Sequence, residues 1–196
     1  MQIHKNDIYF IIRVSLVFCV LSASFSFVGA ILPERMPLKN PIITGSINPK
    51  EIMGHLIWGL AAGAVTLRIK YALVGGSLAV LIDSDHLIHL LQIEGIPRMS
   101  HSILFAIISM IILMAVFGKR DYILGAIVAT SVFTHISFDI FTDETGFPLF
   151  TPFLNKILSF PTMDWIFFEI LAIIIIGIVT LLVRRKELTL SNKDLI

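Results

Sequence analysis

Apolar residues in this chain neither alternate nor recur only every third or fourth position. They run in six long blocks: Ile8 to Leu32, Ile52 to Leu67, Tyr71 to about Leu91, His101 to Phe117, Tyr122 to about Phe141, and Trp165 to Val183. About 20 apolar residues in a helix cross the roughly 30 Å hydrocarbon core of a bilayer. The pattern therefore predicts an all-α, polytopic membrane helix bundle of about six transmembrane segments. The second block is rich in small residues (Gly54, Gly59, Ala61, Ala62, Gly63, Ala64), which let helix backbones approach closely, so it reads as an inner helix. Pro33, Pro37, Pro41 and Pro49 mark one external loop, and Gly146, Pro148, Pro152 and Pro161 a second. Trp165 is placed as an interfacial anchor and Arg184–Lys186 as a stop.

Three stretches follow. Residues 1–50 are an N-terminal transmembrane anchor with an external loop. Residues 51–163 are a helical core, and 164–196 are the last span with a basic tail. The first block also carries features of a signal peptide, since Lys5 and Arg13 precede its apolar centre and Val28-Gly-Ala30 resembles a cleavage site. Its length favours an uncleaved anchor.

Composition strengthens the membrane reading: 56% of residues are hydrophobic and 15% charged, against about 25% charged in soluble domains. The net charge of +1 gives no reason to expect a nucleic-acid partner. A single cysteine, Cys19, allows neither an intrachain disulfide nor a thiolate metal site. If every block crosses, one face collects Lys5, Arg68, Lys70, Lys119, Arg120, Arg184, Arg185, Lys186 and Lys193, and the other collects Arg35, Lys39, Lys50, Arg98 and Lys156. The positive-inside rule makes the first face cytoplasmic. That orientation puts both termini of a multi-pass cell-membrane protein in the cytoplasm.

The polar outliers fall on the opposite, extracytoplasmic face. His55 starts the second block, Asp83, Asp85 and His86 end the third, Arg98 and His101 flank the start of the fourth, and His135 and Asp139 end the fifth. Scattered in sequence, they converge on one boundary. Ionisable groups at membrane depth are costly and mark function by default. Histidine nitrogens and carboxylate oxygens are ligands for zinc and, with more carboxylates, for manganese or iron. There are enough of them for one or two ions. His135 and Asp139, spaced i, i+4, share a helix face. Asp83 and Asp85 are two apart, and a regular helix would splay them, so both reach one site only where the backbone loosens; the i, i+3 pair Asp83 and His86 is the alternative. Ser100 reads as the N-cap of the fourth helix and His89 as interfacial. No HExxH, GxGxxG or Walker motif is present.

Gly54-His55 with Gly59, Ile82-Asp-Ser-Asp85, Arg98-Met-Ser-His-Ser102 and His135-Ile-Ser-Phe-Asp139, followed by Thr142, Gly146 and Pro152, resemble the membrane-bound metal-dependent hydrolase family, the inner-membrane, LexA-regulated type. The resemblance covers about Met53 to Phe153. Ile82 and Ser100 stand where that family often has Pro and Thr. The order His, Asp, His, His-x-x-x-Asp is also similar to zinc-dependent phospholipase C and the single-strand nucleases, but the later His-x-x-x-Glu of those trinuclear enzymes has no counterpart here. The resemblance implies metal ligands at His55, Asp83 or Asp85, His101, His135 and Asp139.

The expected function is metal-assisted hydrolysis of a phosphoester, a lipid headgroup favoured, with membrane lipid as surroundings and zinc preferred over manganese. His55, His101, His135 and Asp139 would hold metal, Asp83 or Asp85 would bridge ions or act as base, and Arg98 would pair with phosphate. The rivals are a metal or proton transporter and a non-catalytic membrane protein with a structural metal.

Overall fold

The structure, a computed structural model, describes residues 3–33, 35–44, 47–144 and 146–193, the last three without their side chains. In chain order the helices are α1 (Lys5–Ile31), α2 (Pro41–Thr44), α3 (Pro49–Ala64), α4 (Ile69–Leu81), α5 (Leu87–Leu90), α6 (Ile103–Phe117), α7 (Tyr122–Phe141) and α8 (Trp165–Lys193). The fold is all-α, as the blocks of apolar sequence predict. Four helical stretches are long and apolar enough to cross a membrane: Lys5–Ile31, Ile69–Leu90, Tyr122–Phe141 and Thr162–Leu190. The helix α6 is a shorter apolar member of the same bundle, and α3 a short one rich in glycine and alanine.

Helix starts follow local chemistry. Asn48 accepts hydrogen bonds from the backbone N–H groups of Lys50 (2.8 Å) and Glu51 (3.1 Å), with Pro49 in the first helical position, where its missing N–H costs nothing. Asp121 caps α7 through the N–H of Leu124 (3.0 Å) and also accepts the Tyr71 hydroxyl. The cap of α6 is Ser102, which accepts from the N–H of Phe105 at 3.2 Å. Ser100 lies two residues earlier, buried in a 3-10 turn, Met99–His101, which corrects its reading as the cap.

The helix α7 is the central post: Leu124, Val128, Val132, Ile136 and Ile140 are completely enclosed, consistent with an apolar surface that meets neighbouring helices rather than lipid. Against it pack α3 and α4, which touch backbone to backbone. A Cβ placed on Gly59 would come within 2.4 Å of the Gly75 carbonyl, and one on Gly75 within 2.6 Å of the Gly59 carbonyl. By contrast α1 and α8 present long apolar stripes outward, including Ile12, Leu16 and Val20 on one and Phe167, Ile174 and Leu181 on the other. An outward apolar stripe on a helix long enough to span is a lipid-facing surface. The other stripe of α1 is buried at Val14, Phe18 and Ser22.

The third block is not one straight helix. Past Leu81 the chain tightens into a 3-10 turn, Ile82–His86, before α5. The loop after α7 forms a two-residue antiparallel pairing, Gly146–Phe147 with Leu158–Ser159. At the opposite end of the bundle the α3–α4 turn meets α8: Arg184 donates to the Thr66 carbonyl at 2.9 Å, and Arg68 pairs with Glu187 at 3.0 Å.

Candidate metal centre

Four segments at helix ends deliver the site. His55 comes from the first turns of α3, Asp83, Asp85 and His86 from the 3-10 turn after α4, Arg98 and His101 from the segment entering α6, and His135 and Asp139 from the last turns of α7. The structure brings all of these side chains together. The donor atoms stand 3.2–3.7 Å apart: His55 Nε2 to Asp139 Oδ1 at 3.2 Å and to Asp83 Oδ2 at 3.7 Å, His135 Nε2 to Asp83 Oδ1 at 3.4 Å and to Asp139 Oδ2 at 3.5 Å, and His101 Nε2 to Asp139 Oδ2 at 3.5 Å. Two ligands sharing one zinc at roughly 2.0–2.2 Å stand roughly 3.3–3.6 Å apart in a tetrahedral shell. The spacing is that of ligands around a common point.

The hydrogen bonds say the same. His135 Nδ1 lies 2.6 Å from the Ala79 carbonyl. A carbonyl only accepts, so Nδ1 carries a proton and Nε2 is the nitrogen turned to the cluster. That Nε2 is buried and has no hydrogen-bond partner, although carboxylate oxygens lie beside it. His101 repeats the arrangement: its Nδ1 faces Asp85 Oδ2 at 3.3 Å, and its Nε2 is buried without a hydrogen bond. A ring held by its outer N–H and aimed by its inner nitrogen is the usual condition of a metal-binding histidine. His55 differs, since its Nδ1 is the orphaned atom, and its ring stacks on His135 at 3.7 Å.

The two aspartates of the third block do different things. In the 3-10 turn residues i and i+3 eclipse, so Asp83 and His86 stand together (Oδ1 to Nε2, 3.5 Å) and Asp83 faces His55 and His135. Asp85, fully buried, turns away: its Oδ2 accepts the Ser100 N–H at 3.1 Å and meets His101 Nδ1, while its Oδ1 has no partner. Three groupings can hold an ion: His55, His135 and Asp139; Asp83, His101 and His135; and Asp83, Asp85 and His86. His86 belongs to the third, a role the i, i+3 spacing signalled and the site residues drawn from sequence left aside.

Charge asks for a cation as well. Against the carboxylates of Asp83, Asp85, Asp139 and Glu144 the cluster has one guanidinium, that of Arg98, which pairs with Glu144 and lies 3.4 Å from Asp139 Oδ2. With neutral histidines the cluster carries a surplus of negative charge in a poorly solvated place, and such charges persist only when paired or coordinated to metal. The residues present fit a divalent ion.

Supports of the site carry no signature in sequence. Glu144 is a loop residue, and Ala79 contributes a backbone carbonyl. From α1, Ser22 donates to the Ile82 carbonyl at 2.6 Å and sits 2.9 Å from the hydroxyl of Ser100, which donates back to the Ser22 carbonyl at 3.2 Å. Beside the site, a Cβ on Gly54 would overlap the ring of Phe138, so glycine is required next to His55.

The chain matches the model of the YdjM inner membrane protein family over residues 51–192. It belongs to that family. No curated protein and no solved structure matched it. The YdjM match begins in the first turn of α3, ends in the last turn of α8 and includes every residue of the site, and it leaves out α1 and the loop that follows. The YdjM description gives a location, an inner membrane, and names neither a reaction nor a metal.

Proposed function

We propose that this YdjM-family protein is a membrane-embedded, metal-dependent hydrolase of phosphoesters, working at the extracytoplasmic boundary on a lipid headgroup. The observation that carries the reading is His135: its Nδ1 is committed to the Ala79 carbonyl, and its buried Nε2 faces two carboxylates without a hydrogen bond. His55, His101, His135 and Asp139 would hold the ion, zinc preferred, and Asp83 with His86 would hold a second. A bound divalent ion lowers the pKa of water and stabilises charge developing on phosphoryl oxygens.

The residues divide the remaining work. Asp83, with a side chain 19% exposed against 0% for Asp85 and 6% for Asp139, is the carboxylate that solvent reaches, and in a one-ion site it would take the proton from the attacking water. Asp85 orients His101 and does not touch substrate, which narrows the choice of base to Asp83. Arg98, once Glu144 releases it, pairs with a non-bridging phosphoryl oxygen, as a guanidinium does best. The extracytoplasmic placement rests on the charge asymmetry of the loops.

Transport is less well supported. On the side of the bundle away from the site, the α3–α4 glycine contact closes the packing, and the hydroxyls of Thr130 and Ser131 turn back to carbonyls of their own helix at 2.8 Å. The cavity there measures about 10 Å³, room for one water at most. Buried acids and histidines among the described residues lie at the other end of the bundle.

The test is elemental analysis of purified protein together with turnover of a chromogenic aryl phosphodiester, wild type against His135→Ala. Stoichiometric zinc or manganese with turnover, both lost in the variant, is expected. A stable, metal-free wild type at neutral pH overturns the metal centre; bound metal without phosphoester turnover reduces it to a structural staple.

A further inference from the structure

Beside the metal centre lies an open cavity of about 270 Å³ that the hydrolase chemistry does not use. One wall is the loop after α1, with Leu38, Lys39 and Pro41; the other is the turn into α5, with His86 and His89, and Arg98 beside them. His86 belongs to the cluster through Nε2, 3.5 Å from Asp83 Oδ1. His89 has no part in the cluster. The two histidines are three residues apart, a spacing that sets both on one face of a helical turn.

His89 is held as His135 is. Its ring N–H is spent on the backbone of Lys39, and its Nε2 is buried without a partner among the described residues. A ring with one N–H offers its second nitrogen as an acceptor, and an imidazole aimed by a backbone carbonyl is the usual condition of a metal ligand. With Nε2 of His86 turned to Asp83, its Nδ1 is likewise buried and unbonded. The two rings stand 4.8 Å apart at 84°. Two imidazoles on one tetrahedral zinc, each nitrogen at about 2.0–2.1 Å, have ring centres roughly 5 Å apart. Asp85, whose charge acts on both histidines, keeps one buried oxygen without a partner. Of the cations in the lining, Arg98 is committed to Asp139 and Glu144, which leaves the exposed Lys39 as the charge at the mouth.

We propose that this cavity is the port through which the divalent ion reaches the centre, with His89 as a transit ligand that passes it to His86 and Asp83. None of the three groupings that can hold an ion among the described residues includes His89, so its place is on the way in and not in the finished centre. Two histidines leave the other positions of a tetrahedral ion to water, and an ion held by so few ligands moves on to a fuller set. The Lys39 backbone that aims His89 precedes the family match at 51–192, so the port is built partly by residues outside that match. The inference rests on the metal centre of the hydrolase reading, not on its phosphoester chemistry.

The experiment is stopped-flow zinc uptake by metal-stripped, full-length protein in detergent, followed with a chromophoric zinc indicator, with the final zinc content taken by elemental analysis. His89→Asn keeps an amide N–H where the ring Nδ1–H stood and puts nothing in place of Nε2. It should load at least tenfold more slowly than wild type and reach the same final content. Lys39→Glu, at an exposed position, should load several-fold faster at low salt, and the gain should fade at high salt as the charge is screened. Should His89→Asn fail to fold, Lys39→Glu decides alone. A wild-type rate in either folded variant, with wild type loading fully, overturns the port and sends the ion in past Asp83, the 19% exposed carboxylate of the cluster. A lower final content in His89→Asn makes His89 a resident ligand and overturns its transit role. A wild type that takes up no zinc sinks the metal centre itself, and the port with it.

Discussion

His101 and Asp85 show how a single side chain earns its place here. Asp85 is enclosed, accepts the N–H of Ser100 and meets the outer nitrogen of His101, whose inner nitrogen is left facing Asp139. A carboxylate behind a ligating histidine fixes its tautomer and raises its basicity. Asp85→Asn, close in shape, should therefore leave the protein folded and weaken metal binding about 10- to 100-fold, measured by competition with a chromophoric chelator. Asp83→Asn should abolish phosphodiester turnover at saturating metal, because the solvent-accessible base is gone; retained turnover would move the base elsewhere. The sequence named both aspartates but could not separate them, since i and i+2 spacing says nothing about which one turns towards which histidine.

Among the elements, the close pair α3 and α4 sets the distance between His55 and Asp83. Its contact is backbone on backbone at Gly59 and Gly75, so a side chain there is relieved only if the helices move apart. Gly75→Val is expected to cost about 1–3 kcal/mol or more as overpacking, read as a lower melting temperature in detergent, and to reduce bound metal as His55 withdraws. Gly177→Ala is the control: the nearest atom to its new Cβ, on Val65, would be 3.6 Å away, an ordinary contact, and stability should not fall. The glycine-rich composition of the second block announced close packing. Which helix it packed against, and that the third block would tighten into a 3-10 turn to present Asp83 and His86 together, depended on partners far away in the chain.

For the whole molecule, the arrangement of charge and site is the testable property. Arg68, Arg184 and Glu187 gather at the end of the bundle opposite the histidine–aspartate cluster, while exposed apolar residues Phe150, Phe153 and Leu154 sit on the loop at the cluster's end. In a Cys19→Ser background, Phe153→Cys should react with a membrane-impermeant maleimide in intact spheroplasts, and Leu188→Cys should react only after lysis. The reverse pattern would place the site in the cytoplasm. The helix α1 also belongs to this scale: its Ser22 supports the turn carrying Asp83 through the Ile82 carbonyl, although the family match begins after it.

The amino-acid order alone determined the all-α membrane character, because blocks of apolar residues of spanning length have few other stable solutions in lipid. It also determined that scattered histidines and aspartates would share one end of the bundle, because alternate crossings return each block's end to the same face. Tertiary structure decided the rest. Orientation of an imidazole depends on what its second nitrogen bonds, and for His135 that partner is a backbone carbonyl, Ala79, which no residue type encodes. The division between Asp83 facing the cluster and Asp85 behind His101, the pairing of Arg98 with Glu144, and the cavity walled by the loop after α1 all arise from contacts between segments distant in sequence. Periodicity reports which face of a helix is buried; only packing decides which atoms meet there.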